Sequence, residues 1–276
     1  MTTEYKIDCN PDLTEILVAY LASAGFDSFL EEPDGLLAYA IDGEDWGAVN
    51  VLEELSHQFE FTYTAKEYVE QNWNEVWERG FSPIRVGELL LIRASFHAAE
   101  PEVAHELVID PRMAFGTGHH ATTYMMCELI LDHYGAGRSG DRVLDYGCGT
   151  GVLALLARRL GARTVDAVDI EAPAAENTAD NAATNGVELD QIVHGTLEDV
   201  PVGLPYDLIL ANINRNVLLD TGAALKQRLR SGGTVLLSGI LARDADRLTD
   251  HFTGLGFTLR RQEAREDWRA FEFVRA

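Results

Sequence analysis

Lysine is nearly absent from this 276-residue chain. Lys6, Lys66 and Lys226 are all it has, and arginine supplies the rest of 22 basic residues against 45 acidic ones. The net charge of −23 argues against direct nucleic-acid binding, because gripping phosphates needs a basic face. Acidic residues are spread over the whole chain, so adaptation to high salt explains them better than attraction of a basic partner. Cysteine is scarce too. Cys9, Cys127 and Cys148 make neither a disulfide framework nor a metal cluster, and a reducing cytoplasm is expected. No apolar run approaches a membrane span, and the polar N-terminus is no signal peptide. Low-complexity tracts are missing as well. The length suffices for one full α/β core and a smaller second one.

Val143–Gly151 reads Val-Leu-Asp-Tyr-Gly-Cys-Gly-Thr-Gly. A strand-like run turns through three alternating glycines into a helical pattern whose apolar members are Leu153, Leu155, Leu156 and Leu160. Such a turn is expected to present bare backbone N–H groups to a ligand. A dinucleotide fold uses Gly-x-Gly-x-x-Gly, but Gly147, Gly149 and Gly151 are spaced Gly-x-Gly-x-Gly, with Val152 in the dinucleotide position. No Gly-Lys-Ser/Thr follows, so this is no phosphate loop either. S-adenosyl-L-methionine, which has no pyrophosphate, fits better. Cys148 is expected to be a small filler of a tight turn rather than a nucleophile.

A second strand, Thr164–Asp169, ends in an acid about 20 residues beyond Gly147, where a carboxylate meets ribose hydroxyls. Asp166 is expected to face solvent. Pro173 can open the next helix and Asn185-Gly186 can close it. Further strands are expected at Gln191–Gly195 and at Tyr206–Ala211, the latter running into Asn212-Ile213-Asn214. Polar residues at the carboxyl end of a central parallel strand sit at the ligand crevice. The chain thus resembles a class I S-adenosylmethionine-dependent methyltransferase.

Asp110–Thr123 contains Phe-Gly-Thr-Gly-His-His-Ala-Thr-Thr. It is similar to the Phe-Gly-Thr-Gly-x-His-x-Thr-Thr signature of the PrmA family, which methylates large-subunit ribosomal protein L11. The resemblance extends to Asp145–Gly151, Ala211-Asn212-Ile213, Ser238-Gly239-Ile240 after a fifth strand, the N-terminal segment and a tryptophan-rich linker. It implies a doubly wound, Rossmann-like α/β fold with a seven-stranded sheet. It also implies methyl transfer from S-adenosyl-L-methionine to lysine side chains and the N-terminal α-amine, leaving S-adenosyl-L-homocysteine. Carried over residue by residue, Thr123 and Gly149 touch the cofactor, Gly147 approaches its methionine part, Asp169 its ribose, and Asn212 the sulfonium region. Phe115, Gly116, Thr117 and Gly118 would form a mobile lid. His119 and His120 are expected to be helix-start residues before Ala121–Leu131. Gly195 is followed by Thr196, not by the acid that many class I enzymes place against adenine, and Glu198 is the nearest acid.

The first third alternates as β-α-β-β-α-β, the order of a ferredoxin-like α+β domain. Strands are expected at Tyr5–Cys9, Phe26–Glu31, Leu36–Ile41 and Phe59–Ala65, with helices at Asp12–Ala24 and Trp46–His57. Glu67–Arg79 then reads as a charged helix carrying Trp73 and Trp77. The expected organisation is a recognition domain over residues 1–66, a helical linker over 67–80 and a catalytic domain over 81–276, with strands at Glu88–Ala94 and Glu106–Ile109. A cytoplasmic monomer is the simplest expectation.

Asn212 could accept a hydrogen bond from the substrate amine and orient it. This resembles the Asn-Pro-Pro-Tyr motif of amino-methylating enzymes, from which Ile213-Asn214-Arg215 departs. Three other readings are open. A related lysine methyltransferase acting on an electron-transfer flavoprotein would share the catalytic part but not the N-terminal one. A nicotinamide oxidoreductase is opposed by the missing third glycine. A non-catalytic module is opposed by the set of Thr123, Gly147, Asp169 and Asn212.

Overall fold

Period-two alternation builds the first strand: Tyr5 and Ile7 are buried, while Lys6 and Asp8 between and after them are exposed. The computed structural model describes residues 2–41, 45–68, 82–110, 115–135, 137–201 and 203–276. The chain divides into two compact units, Met1–Gly80 and Phe81–Ala276.

In the first unit, β1 (Thr2–Cys9), β2 (Ser28–Glu32), β3 (Gly35–Ile41) and β4 (Phe61–Tyr68) form a sheet of order β2-β3-β1-β4. All its pairings are antiparallel. Helices α1 (Thr14–Ser23) and α2 (Asp45–Ser56) supply Leu17, Leu21, Leu52 and Leu55 to a core with Tyr5, Ile7 and Leu36. The first helix begins two residues later than expected, because Pro11–Leu13 is a separate 3-10 turn. Glu67 and Tyr68 continue β4. The rest of the expected tryptophan helix lies outside the described residues.

The second unit opens with a small sheet of β5 (Ile84–Val86), β6 (Leu90–Arg93) and β7 (His105–Val108). After α3 (Ala121–Gly135) come β8 (Arg142–Tyr146), α4 (Val152–Arg159), β9 (Thr164–Asp169), α5 (Ala172–Thr184) and β10 (Gln191–His194). Then follow β11 (Tyr206–Asn212), α6 (Arg215–Arg228), β12 (Leu229–Leu241), α7 (Ala245–Gly254), β13 (Phe257–Arg265) and β14 (Trp268–Arg275). Seven strands make one sheet of order β10-β9-β8-β11-β12-β14-β13, parallel except where β14 pairs. The winding reverses between β8 and β11, which opens a crevice at their carboxyl ends. Helices α3 and α4 cover one face; α6 and α7 cover the other, over an aromatic cluster of Phe252, Phe257, Phe271 and Phe273.

Helix α4 buries Val152 to Ala157 against β8, β9, α3 and β7, and its polar residues are Arg158 and Arg159 in the last turn. Two local expectations are corrected. Asp166 does not face solvent. It is 1% exposed, accepting from Arg142 Nη2 at 2.7 Å and Tyr206 Oη at 2.7 Å. A parallel strand covered on both faces has no solvent side for such a residue to occupy. Ser238-Gly239-Ile240 lie within β12, not after it, at a register shift against β14 between Leu237 and Ile240.

Candidate functional site

Strands β8, β9 and β11 end side by side, and their ends open onto a cavity of about 920 Å³. Of the residues singled out from sequence, Phe115, Gly147, Gly149, Asp169 and Asn212 border it. Thr123, Gly116, Thr117 and Gly118 do not border it. Thr123 is buried and receives a hydrogen bond from Asn212 Nδ2 at 3.3 Å. The Gly116 carbonyl accepts from Thr150 Oγ1 at 2.7 Å, and Thr117 Oγ1 lies 3.1 Å from His119 Nδ1.

The glycine turn does not offer bare N–H groups. Gly147 N and Cys148 N donate to Val168 O, Gly149 N to Asp169 Oδ2, Thr150 N to Phe115 O and Gly151 N to Cys148 O. All five amides are spent inside the protein. The glycines serve close approach instead. At Gly147 (φ +78°) a Cβ would lie 2.2 Å from Ile213 Cγ2, and at Gly149 (φ +56°) it would lie 2.3 Å from the Phe115 carbonyl. The turn is therefore a junction where the Phe115 loop and the Asn212-Ile213 segment meet, and both are held against it.

Asp169 accepts from Gly149 N at 2.9 Å and from Glu171 N at 3.0 Å, one bond on each oxygen. Each oxygen keeps acceptor capacity for a ligand hydroxyl. Asn212 Oδ1 is buried and has no partner among the described residues, while Thr123 fixes the other edge of that amide. Asn214 caps α6 by accepting from Asn216 N at 2.8 Å. Beneath the turn, burial pushes the Asp145 carboxyl up to about 7, although Ala154 N donates to it at 3.0 Å. Burial also pushes the Cys148 thiol up, against nucleophilic use. His120 packs its ring between Phe115 and Trp268, with centroids at 5.1 and 4.8 Å. Its Nδ1 lies 2.7 Å from Thr122 Oγ1.

Near the end of β10 the cavity is bordered by Gly195 and Thr196. Asp199 takes the Thr196 N–H and hydroxyl, at 2.8 and 2.9 Å. Sequence reasoning missed Ile170, Glu171, Asn177 and Val217. Ile170 follows the strand-ending acid directly, and its 67% exposure marks it as an apolar rim. The wall thus combines a carboxylate with free acceptor sites, an unpaired amide oxygen and exposed apolar side chains. Those acceptors and apolar groups suit a ligand with hydroxyls, a cationic or amine centre and a flat apolar part, as S-adenosyl-L-methionine has.

A family model described as Ribosomal protein L11 methyltransferase (PrmA) matches residues 34–276. A ribosomal protein L11 methyltransferase of Porphyromonas gingivalis is 42% identical over 269 residues, which cover 94% of this chain and 90% of that protein. One from Bacteroides thetaiotaomicron is 34% identical over 276 residues, covering 99% and 98%. The crystal structure of ribosomal protein L11 methylase from Lactobacillus delbrueckii subsp. bulgaricus aligns with a TM-score of 0.64 at 29% identity, over 71% of this chain and 99% of that chain.

Proposed function

The chain belongs to the ribosomal protein L11 methyltransferase family, and from that premise we propose that it methylates ribosomal protein L11 on lysine side chains and the N-terminal α-amine, using S-adenosyl-L-methionine and releasing S-adenosyl-L-homocysteine. The observation that carries this reading is the Asn212 amide: Thr123 holds one edge, and the other brings an unpaired Oδ1 to the wall of the crevice.

When bound, S-adenosyl-L-methionine supplies a methyl group already activated on a positively charged sulfur. The chain's residues then mainly align the amine and exclude water. Asn212 Oδ1 accepts a hydrogen bond from the neutral amine and aims its lone pair. Ile170, Ile213 and Val217 border the cavity with apolar surface, which disfavours the charged ammonium and lowers the amine pKa. Asp169 takes the ribose hydroxyls, with Gly147 and Gly149 at the methionine side. The Phe115–Gly118 loop is the lid, with Phe115 facing the cavity and Gly116 fastening the loop to Thr150.

The first unit is a ferredoxin-like domain that recognises the ribosomal protein. Its antiparallel order β2-β3-β1-β4 supports this reading. Residues 67–80 link it to a catalytic domain over 81–276, with β4 reaching two residues into that linker. The enzyme acts as a cytoplasmic monomer without direct nucleic-acid contact, in keeping with its charge of −23. Among the described residues no helix is long and apolar enough to cross a membrane. Mass spectrometry of L11 after incubation with the protein and S-adenosyl-L-methionine tests the reaction. Added mass in multiples of one methyl group is expected; an unchanged mass would overturn it.

A further inference from the structure

We propose that Asn177 contacts the bound methyl donor, giving its side-chain N–H to the carboxylate at the donor's amino-acid end. The proposal rests on the methyl-donor reading above. Asn177 lies on α5, is 1% exposed and borders the cavity. It is the first rung of a ladder of asparagines four residues apart on one helix face, Asn177, Asn181 and Asn185.

The ladder's hydrogen bonds can be followed atom by atom. Asn185 Nδ2 donates to Val108 O at 2.6 Å and to Asn181 O at 2.8 Å, and its Oδ1 accepts from Val108 N at 2.9 Å. Asn181 Oδ1 accepts from Asp110 N at 3.1 Å. Its Nδ2 donates to Thr150 O at 2.9 Å and to Asn177 Oδ1 at 2.7 Å. One side-chain polar atom of the three is left over. Asn177 Nδ2 is buried and has no partner among the described residues. The bond from Asn181 fixes which edge of the Asn177 amide is the acceptor, so the unpaired atom is a donor.

Two features say what it donates to. First, the bordering residues include the acids Asp169, Glu171 and Glu176 but, among the described residues, no lysine or arginine. A ligand carboxylate there must be met by neutral donors. Secondly, the amides of the glycine turn are all spent inside the protein, so they cannot supply those donors. Asn177 is tied to that turn through Asn181, whose Nδ2 donates both to Asn177 Oδ1 and to Thr150 O.

Calorimetric titration with S-adenosyl-L-homocysteine and with 5′-methylthioadenosine, which lacks the amino-acid end, tests this. Asn177→Asp keeps the acceptor that Asn181 needs but replaces the donor with a second acceptor. It is expected to weaken S-adenosyl-L-homocysteine about tenfold or more while changing 5′-methylthioadenosine less than about twofold. Asn177→Ala should show the same selectivity with a smaller loss, and it serves if the aspartate variant does not fold. Unchanged binding of both ligands, or equal loss of both, overturns the proposal. Failure of the wild-type chain to bind S-adenosyl-L-homocysteine would instead sink the methyl-donor reading, and the proposal with it.

Discussion

Near the amino ends of the central strands, Asp166 accepts from both Arg142 and Tyr206, and Asp207 accepts from the Arg142 N–H and pairs with Arg230. At the carboxyl ends of the same strands, Asp169 keeps acceptor capacity, and the neutral amides of Asn212 and Asn177 each leave one atom unpaired. The two ends use similar residues for opposite purposes. One end pairs charge with charge inside the protein, which holds strands together, although Asp166 Oδ1 and Arg142 Nε also lack a partner among the described residues. The other spends backbone donors on itself and leaves side-chain atoms for something else to satisfy. Residue type alone does not separate structural from functional polar groups; an unpaired atom points to a site where its residue also borders the cavity, as Asn212 and Asn177 do and Asp166 and Arg142 do not.

This contrast can be broken by experiment. The largest effect is expected for Asn212→Ala, which should lower turnover about 100-fold while changing S-adenosyl-L-homocysteine affinity much less. Rates from mass spectrometry, set beside calorimetric affinities, check the split; full turnover would remove Asn212 from the reaction. At the opposite end, Asp166→Ala leaves Arg142 without its buried partner and should cost about 3 kcal/mol in urea unfolding. Ligand affinity of the folded variant should stay unchanged, and a loss of affinity without a loss of stability would erase the distinction between the two ends.

A smaller effect concerns Asp145, whose burial raises its carboxyl from 3.8 to about 7. A folded-state value above the unfolded one favours the protonated form in the folded protein. Its stabilising contribution is full below about pH 4 and is lost as pH rises through about 7. Unfolding free energy of the ligand-free protein should therefore fall across that window, and Asp145→Asn should flatten the slope. An identical slope in the variant would assign the pH dependence to another group.

Much of the crevice was legible along the chain. The Gly-x-Gly-x-Gly spacing, an acid at the end of the next strand and Asn212 after a buried apolar strand are local patterns, and parallel strands bring such ends to one edge. The order of strands and helices in the first unit was legible for the same reason, since periodicity and turn residues are short-range signals. What failed depended on neighbours distant in sequence. Asp166 looks like a solvent residue until Arg142 and Tyr206 reach it from other strands. Asn177, Asn181 and Asn185 read as an ordinary polar helix face, and nothing local says that Val108, Asp110 and Thr150, together with the Asn181–Asn177 bond, occupy all but one of their side-chain polar atoms.

The amino-acid sequence by itself determined where strands turn into helices, where the glycines must be and which acid and amide lie at strand ends. These follow from backbone conformational preference and from spacing, which act within a few residues. Only the tertiary structure decided what those groups do. It brought Ile213 and Phe115 against the glycines, turned the N–H groups of the turn inward, paired Asp166 and left Asn212 Oδ1 and Asn177 Nδ2 unpaired. A hydrogen bond is a property of two partners, and for Asp166 and Asn212 the partners come from distant parts of the chain.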